Sequence, residues 1–367
     1  MIRKFNVLMS LRDSPVYFII LAYIACSWLL ALAYGVIGQF SLLVYSRPVM
    51  TTTFLIISLF MGWLCFYTMI KIRPKHITVF LINDLKTRWL TKQRLSQAIS
   101  LLLFFMLFLS AFSSMKSMIP VVQPYRWDAA FFTLDKVIHF GRDPWTLLQP
   151  FLGFPFVSFL VNVVYNLWFP VIFAVLYWQI FTLKRRNLRQ QFLLTFFLCW
   201  IINGTVLAIL FSSAGPCFFG HILPDTTNPY APLMAYLQQT NEIFPLWALE
   251  TQNMLWRLYE DSASGFGSGI SAMPSVHVSV AWLLFLFGWK TGTVWRWIFG
   301  IFFAFIMIGS VHLGWHYAVD GYLAILTTSA IWFLSGKYKF LNDVRNGQAL
   351  ILLSNQMNSS YREGKEP

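Results

Sequence analysis

The chain has 367 residues, of which 57% are hydrophobic, 19% aromatic and only 11% charged. Soluble domains carry about a quarter charged residues, so a soluble core of this size is excluded and the long apolar runs read as membrane spans of about 20 residues each. The net charge of +13 would suggest nucleic acid in a soluble protein, but its placement along the chain assigns it to a membrane surface.

In chain order, hydropathy predicts eight spans, at roughly 15–36, 51–70, 96–119, 156–181, 191–213, 274–289, 295–313 and 317–335. Each should be a helix, because a lone span must satisfy its own backbone hydrogen bonds. The fold class is therefore all-α, a polytopic helical membrane protein with about eight transmembrane helices. The first span follows a polar leader containing Asp13 and continues past Ala31-Leu32-Ala33, so it is expected to stay uncleaved. Residues 75–95 mix apolar and basic residues at helical spacing, which suits either a helix lying on the membrane surface or a plain linker. The tail 341–367 is polar and is expected to be disordered. Cys26, Cys65 and Cys199 lie in spans and Cys217 stands alone in its loop, so no disulfide framework is indicated.

The basic residues predict the orientation. With the N-terminus inside, all but six of the 27 Lys and Arg fall in inner segments; the outer six are Arg47, Lys116, Arg126, Lys136, Arg142 and Arg257. Both termini are then cytoplasmic, the basic excess faces anionic inner-leaflet lipid, and no nucleic-acid partner is expected. Two long outer loops, 120–150 and 214–273, are rich in Gly, Pro, Ser and aromatic residues. Loops of more than about 15 residues are usually functional or disordered, and the aromatic content argues for function.

The polar residues gather at the same face. Of six histidines, His139, His221, His277, His312 and His316 all map to the outer side, with Asp128, Asp135, Asp143 and Asp320. In HLGWHYAVDG (312–321), His316 and Asp320 stand four apart and share one helix face. A carboxylate inside a span costs several kcal/mol unless it is paired or faces water. An Asp bound to one ring nitrogen sets the tautomer and raises the basicity of the other; a plain buried ion pair between neighbouring spans is the alternative. In MPSVH (273–277), Pro274 and Ser275 signal a helix start. That places His277 in a first turn whose free N–H groups suit a phosphate; a capped helix with an interfacial histidine is the alternative there.

MPSVH is similar to the second signature, Pro-Ser-x-His, of the type 2 phosphatidic acid phosphatase superfamily, and VHLGWHYAVD resembles its third. AGPCFF (214–219) resembles the Gly-Pro-aromatic segment of the inositol phosphorylceramide synthase-like (inositolphosphotransferase) branch. So does the segment running from Asp128 through Asp135, His139 and Gly141 to Asp143-Pro144-Trp145, and His316-Tyr317 with Asp320 is similar to the His-Tyr-x-x-Asp of sphingolipid synthases. The resemblance spans roughly 96–336. It implies a six-helix catalytic core there, an N-terminal hairpin with its basic inner-surface segment over 1–95, and a cytoplasmic tail over 337–367. It also implies a mechanism in which His316 attacks phosphorus to give a phosphohistidine, Asp320 orients it, and His277 protonates the leaving alkoxide. This is the logic of an activated nucleophile beside a separate acid.

The chain departs from the pattern where the family supplies cations. AGPCFF has neither the usual Lys nor Arg, Gly309-Ser310 stands where Ser-Arg is usual, and His312 takes a place often held by Tyr. Phosphoryl transfer needs charge stabilisation on the phosphoryl oxygens. Arg126, Arg142, Lys136, Arg257, His312 and the N–H groups before His277 are the candidates to supply it, Arg126 or Arg142 favoured, with Ser275 and Gly215 as further phosphate contacts. No cofactor or metal is expected, although His277, His312, His316 and Asp320 could together ligate zinc. A lipid transporter or scaffold, or an inactive family member, are the non-enzymatic alternatives; transporters usually carry internal repeats, and none is visible. The expected partners are membrane lipids: a lipid phosphate, polyprenyl phosphate or phosphoinositol lipid as donor, and a lipid or polyol as acceptor. Transfer is slightly favoured over hydrolysis, and a bacterial inner membrane over a eukaryotic endomembrane. Neither the head group nor the oligomeric state is readable.

Overall fold

The apolar runs all fold as helices, and no strand occurs among the described residues, which in this computed structural model are 13–263, 265 and 267–338. Seven helices are long and apolar enough to cross a membrane: α1 (Ser14–Ala33), α2 (Ser46–Ile72), α4 (Lys92–Val122), α7 (Pro155–Phe181), α8 (Arg186–Leu210), α12 (Thr293–His312) and α13 (Ala318–Tyr338). The remaining span, α11 (Val276–Thr291), is apolar with 16 residues, or about 24 Å at 1.5 Å per residue. The expected basic surface segment forms a short helix, α3 (Ile77–Asp84). The two loops that the sequence marks as functional are also helical, with α5 (Asp128–Ile138) and α6 (Pro144–Leu152) in the first and α9 (Ala231–Ile243) and α10 (Trp247–Glu260) in the second. The tail beyond residue 338 and the leader before Asp13 lie outside the described residues.

The helix starts follow local chemistry. Pro15, Pro144 and Pro155 sit in the first turns of α1, α6 and α7, where a missing N–H costs nothing. Ser275 caps α11, its side chain accepting from the Val278 N–H at 3.3 Å.

Successive spans run antiparallel, so α4, α8 and α12 end where α7, α11 and α13 begin. Packing between them relies on close contact, since lipid tails are as apolar as the side chains. Phe108 and Phe197 meet edge-to-face at 4.9 Å between α4 and α8. Asn203, in a wide turn of α8, donates to Ser279 of α11 at 2.8 Å and to Thr328 of α13 at 3.4 Å, bracing three helices beneath the site.

The two N-terminal spans join the core differently. α1 is stitched in by Tyr23 to Thr205 at 2.9 Å and by the buried pair Asp13–Arg189 at 2.7 Å; the Arg189 Nε also donates to the Gln179 carbonyl. α2 touches the bundle through Thr53 and Tyr177 and is otherwise largely exposed.

Candidate active site

The stretch 312–321 holds the end of α12, a tight turn over 313–317 and the first turn of α13. The Trp315 and His316 N–H groups both donate to the Ser310 carbonyl at 3.0 Å, and Gly314 turns the chain with φ +73°. His316 Nδ1 then lies 3.2 Å from Asp320 Oδ2, with the His316 side chain 8% exposed and that of Asp320 fully buried. Asp320 Oδ2 also accepts the Tyr317 N–H at 3.0 Å, while its Oδ1 has no hydrogen-bond partner among the described residues. Burial holds the His316 ring well below the usual imidazole range, at about 3; the nearby Lys116 charge pushes the same way and a hydrogen bond with the Ala272 backbone opposes both. The ring is therefore neutral near pH 7, which leaves it one nitrogen lone pair.

Two carboxylates of α5 clamp this turn. Asp128 accepts the Ala214 and Gly215 N–H groups at 3.0 and 2.8 Å and the Tyr317 hydroxyl at 2.9 Å. Asp135 accepts the Ala318 and Val319 N–H groups at 2.8 and 2.9 Å, capping α13 one turn from the histidine. Burial pushes both carboxyls up and these hydrogen bonds oppose it. Seven residues apart, the two share one face of α5. At the end of α5, His139 bonds the Asp135 carbonyl through Nδ1 and the Tyr322 hydroxyl through Nε2. From the second loop, Gln252 of α10 donates to the Leu313 carbonyl at 3.0 Å, and the Cys217 N–H to that of Gly314 at 2.9 Å.

His277 lies in the first turn of α11, with its ring centroid 6.4 Å from that of His316. Tyr165 stacks on it at 5.0 Å and Trp168 lies at 4.1 Å, its Nε1–H bonding the His277 carbonyl. The Ser275 N–H meets the Asp320 carbonyl at 3.3 Å, so the MPSVH segment and the start of α13 are joined directly.

The structure thus brings His316, Asp320, His277 and Ser275 together. It does not bring His312 to them: its Nε2 lies 2.8 Å from Ser158 Oγ, which also meets Tyr236, and its ring is buried between α7 and α9. The zinc set drawn from the sequence is therefore not assembled, and among the described residues no three or more His, Cys, Asp or Glu are grouped to hold a metal ion. Gly215 is at the site, but its N–H is used by Asp128. Its φ of +103° and the 2.7 Å that a Cβ would leave to the Trp315 carbonyl require glycine there. Arg126 and Arg142 are exposed, and their only hydrogen bonds among the described residues run through the backbone. Lys136 pairs with Asp143 at 3.7 Å over the Phe132 ring, and Arg257 is exposed on α10.

The sequence reading missed Lys116. It lies near the end of α4, half-buried, with Gly269 packed on its backbone, and its charge disfavours protonation of His316. The signal was present: an ammonium inside an apolar span is a functional candidate by default. The Asp128–Asp135 clamp was visible only as two acidic residues in a loop.

A cavity of about 350 Å³ adjoins the loop 268–272 that reaches His316, lined by Ser117, Tyr125, Tyr259, Glu260, Gly269 and Ile270 among others. A family model described as the PAP2 superfamily matches residues 129–334, which include His277, His316, Asp320 and Asp135 but neither Asp128 nor Lys116. No curated protein and no solved structure matches the chain.

Proposed function

The chain belongs to the PAP2 superfamily, and from that premise we propose that it is an integral-membrane phosphotransferase or phosphatase acting on phosphate-ester lipids through a phosphohistidine on His316. The observation that carries the reading is the buried His316–Asp320 pair facing His277 across 6.4 Å. Asp320 holds Nδ1, so the Nε2 lone pair is the nucleophile. Nε2 attacks phosphorus, the P–O ester bond breaks, and the departing alkoxide takes a proton from His277. Water or an acceptor alcohol then gives its proton back to His277 and attacks the phosphohistidine, and the N–P bond breaks. Ser275 and the first-turn N–H groups of α11 face the phosphoryl group.

The distribution of Lys and Arg supports a site on the periplasmic or luminal side with both termini cytoplasmic. The AGPCFF and His-Tyr-x-x-Asp segments favour the inositol phosphorylceramide synthase-like branch, and hence transfer over hydrolysis. The cavity beside Ser117 and Glu260 offers room for a hydroxyl-bearing acceptor group. The test is to incubate the purified protein in lipid with labelled phosphatidic acid, prenyl diphosphate and phosphatidylinositol, with and without ceramide. Release of phosphate identifies a phosphatase; a new phospholipid identifies a transferase. Full turnover by His316→Ala would sink the phosphohistidine mechanism.

A further inference from the structure

We propose that Lys116 is the cation that binds the phosphoryl oxygens at this site. The inference rests on the reading of His316 and His277 as the groups that flank the phosphoryl group. Charge on those oxygens must be met for phosphoryl transfer to proceed, and the other cations nearby are unsuited. Arg126, Arg142 and Arg257 are exposed, and Lys136 is held by Asp143.

Lys116 differs in three respects. It is the only charged residue of α4 after Arg94, placed where an apolar span makes a charge costly. Among the described residues it has no carboxylate or hydrogen-bond partner for its side chain. The loop packed on it leads directly into MPSVH, which carries Ser275 and His277.

Its backbone is also fixed relative to the site. Gly269 packs directly on it: a Cβ there would fall 2.5 Å from the Lys116 carbonyl carbon. Ser117 and Ser268 bond side chain to side chain at 2.7 Å. Three residues on from Gly269, the Ala272 backbone lies beside the His316 ring, and its N–H is held by the Ser213 carbonyl at 2.9 Å. α4 and the nucleophile are therefore tied by one short loop. An ammonium on a four-carbon stem carries three donors and can follow the oxygens as the phosphoryl group moves between oxygen and nitrogen. The competing account is a lysine that merely snorkels to the interface.

The two accounts separate on oxyanion binding. The full chain in lipid nanodiscs is titrated with inorganic phosphate and with orthovanadate, following tryptophan fluorescence, since Trp168 lies against His277. Wild type, Lys116→Met and Lys116→Arg are compared, each also in a His316→Ala background. Losing one charge-assisted hydrogen bond corresponds to about 10- to 100-fold weaker binding, which is expected for Lys116→Met, with Lys116→Arg recovering most of it. Methionine suits an apolar helix, so Lys116→Met should fold at least as well as wild type; Lys116→Gln is the second variant if it does not. Unchanged phosphate binding by the neutral variants, or no phosphate binding by any of the proteins, overturns the proposal. Turnover surviving in His316→Ala would remove the phosphohistidine reading, while the phosphate titration would still decide the role of Lys116.

Discussion

Asp135→Ala tests whether α5 is part of the catalytic apparatus or only a cover. The carboxylate is 1% exposed and accepts the first two N–H groups of α13, Ala318 at 2.8 Å and Val319 at 2.9 Å. An alanine leaves both donors unpaired in a site that Phe131 and Tyr317 help to wall. Each orphaned buried donor costs about 1–3 kcal/mol, and loss of the negative charge at a helix N-terminus costs roughly a further 0.3–1 kcal/mol. The expected destabilisation is therefore about 2–7 kcal/mol, towards the lower end where water enters the space left behind. Asp135→Asn keeps one acceptor and turns a donor towards the other N–H, so it should cost about half as much. The functional consequence is separate, because His316 precedes the capped turn by two residues. A displacement of about 1 Å at a reacting group lowers the rate on the order of 100-fold. Thermal unfolding in nanodiscs measures the first effect, and turnover at a temperature where the variant is fully folded measures the second. Asp135→Ala within about 0.5 kcal/mol of wild type, the range of an ordinary surface change, would refute the clamp. A destabilised variant with unchanged turnover would confine Asp135 to stability.

Three further outcomes are expected. His316 is neutral in the folded protein down to about pH 3, whereas its ordinary value is 6.5, so the unfolded chain binds the extra proton between those values. The stability it contributes is complete above pH 6.5 and lost as pH falls towards 3, by up to about 1.4 kcal/mol per unit; acid unfolding curves of His316→Gln should be flatter over that window, and parallel curves would contradict the assignment. Asp13→Ala strands the Arg189 guanidinium in the bundle and should cost about 3–5 kcal/mol, whereas Asp13→Ala with Arg189→Met should recover most of it, as read by melting temperature. Ser158→Ala removes the hydroxyl that meets His312 and should lower stability by about 1–2 kcal/mol while leaving phosphate affinity unchanged; a large rise in KM would return His312 to the phosphate site.

The spans were legible because a bilayer imposes one requirement, a backbone satisfied within each apolar segment, and hydropathy reports it directly. His316 and Asp320 were legible because they stand four residues apart, although the shared helix face expected for them is not what joins them: His316 lies in the turn before α13 and Asp320 in its first turn. His312 lies just as close in sequence, yet its side chain leaves the site for Ser158, because it is the last residue of α12 and sits on the face of that helix that meets α7, before the turn that carries His316. Arg126 and Arg142 illustrate the converse: nearness of a loop to a site says nothing about where a long side chain points.

By itself, then, the sequence determined the all-helical membrane architecture, the segregation of polar residues to one end, and the His–Asp pair, all of which depend on local periodicity and on the cost of burying charge. Only the tertiary structure decided which distant groups converge. It bound Asp128 to Gly215, 87 residues further along the chain, and to Tyr317, 189 residues further along. It packed Gly269, on the loop that leads into MPSVH, against the backbone of Lys116 in α4. Such contacts arise from how helices rotate and pack against one another, and no spacing along a single helix encodes that rotation.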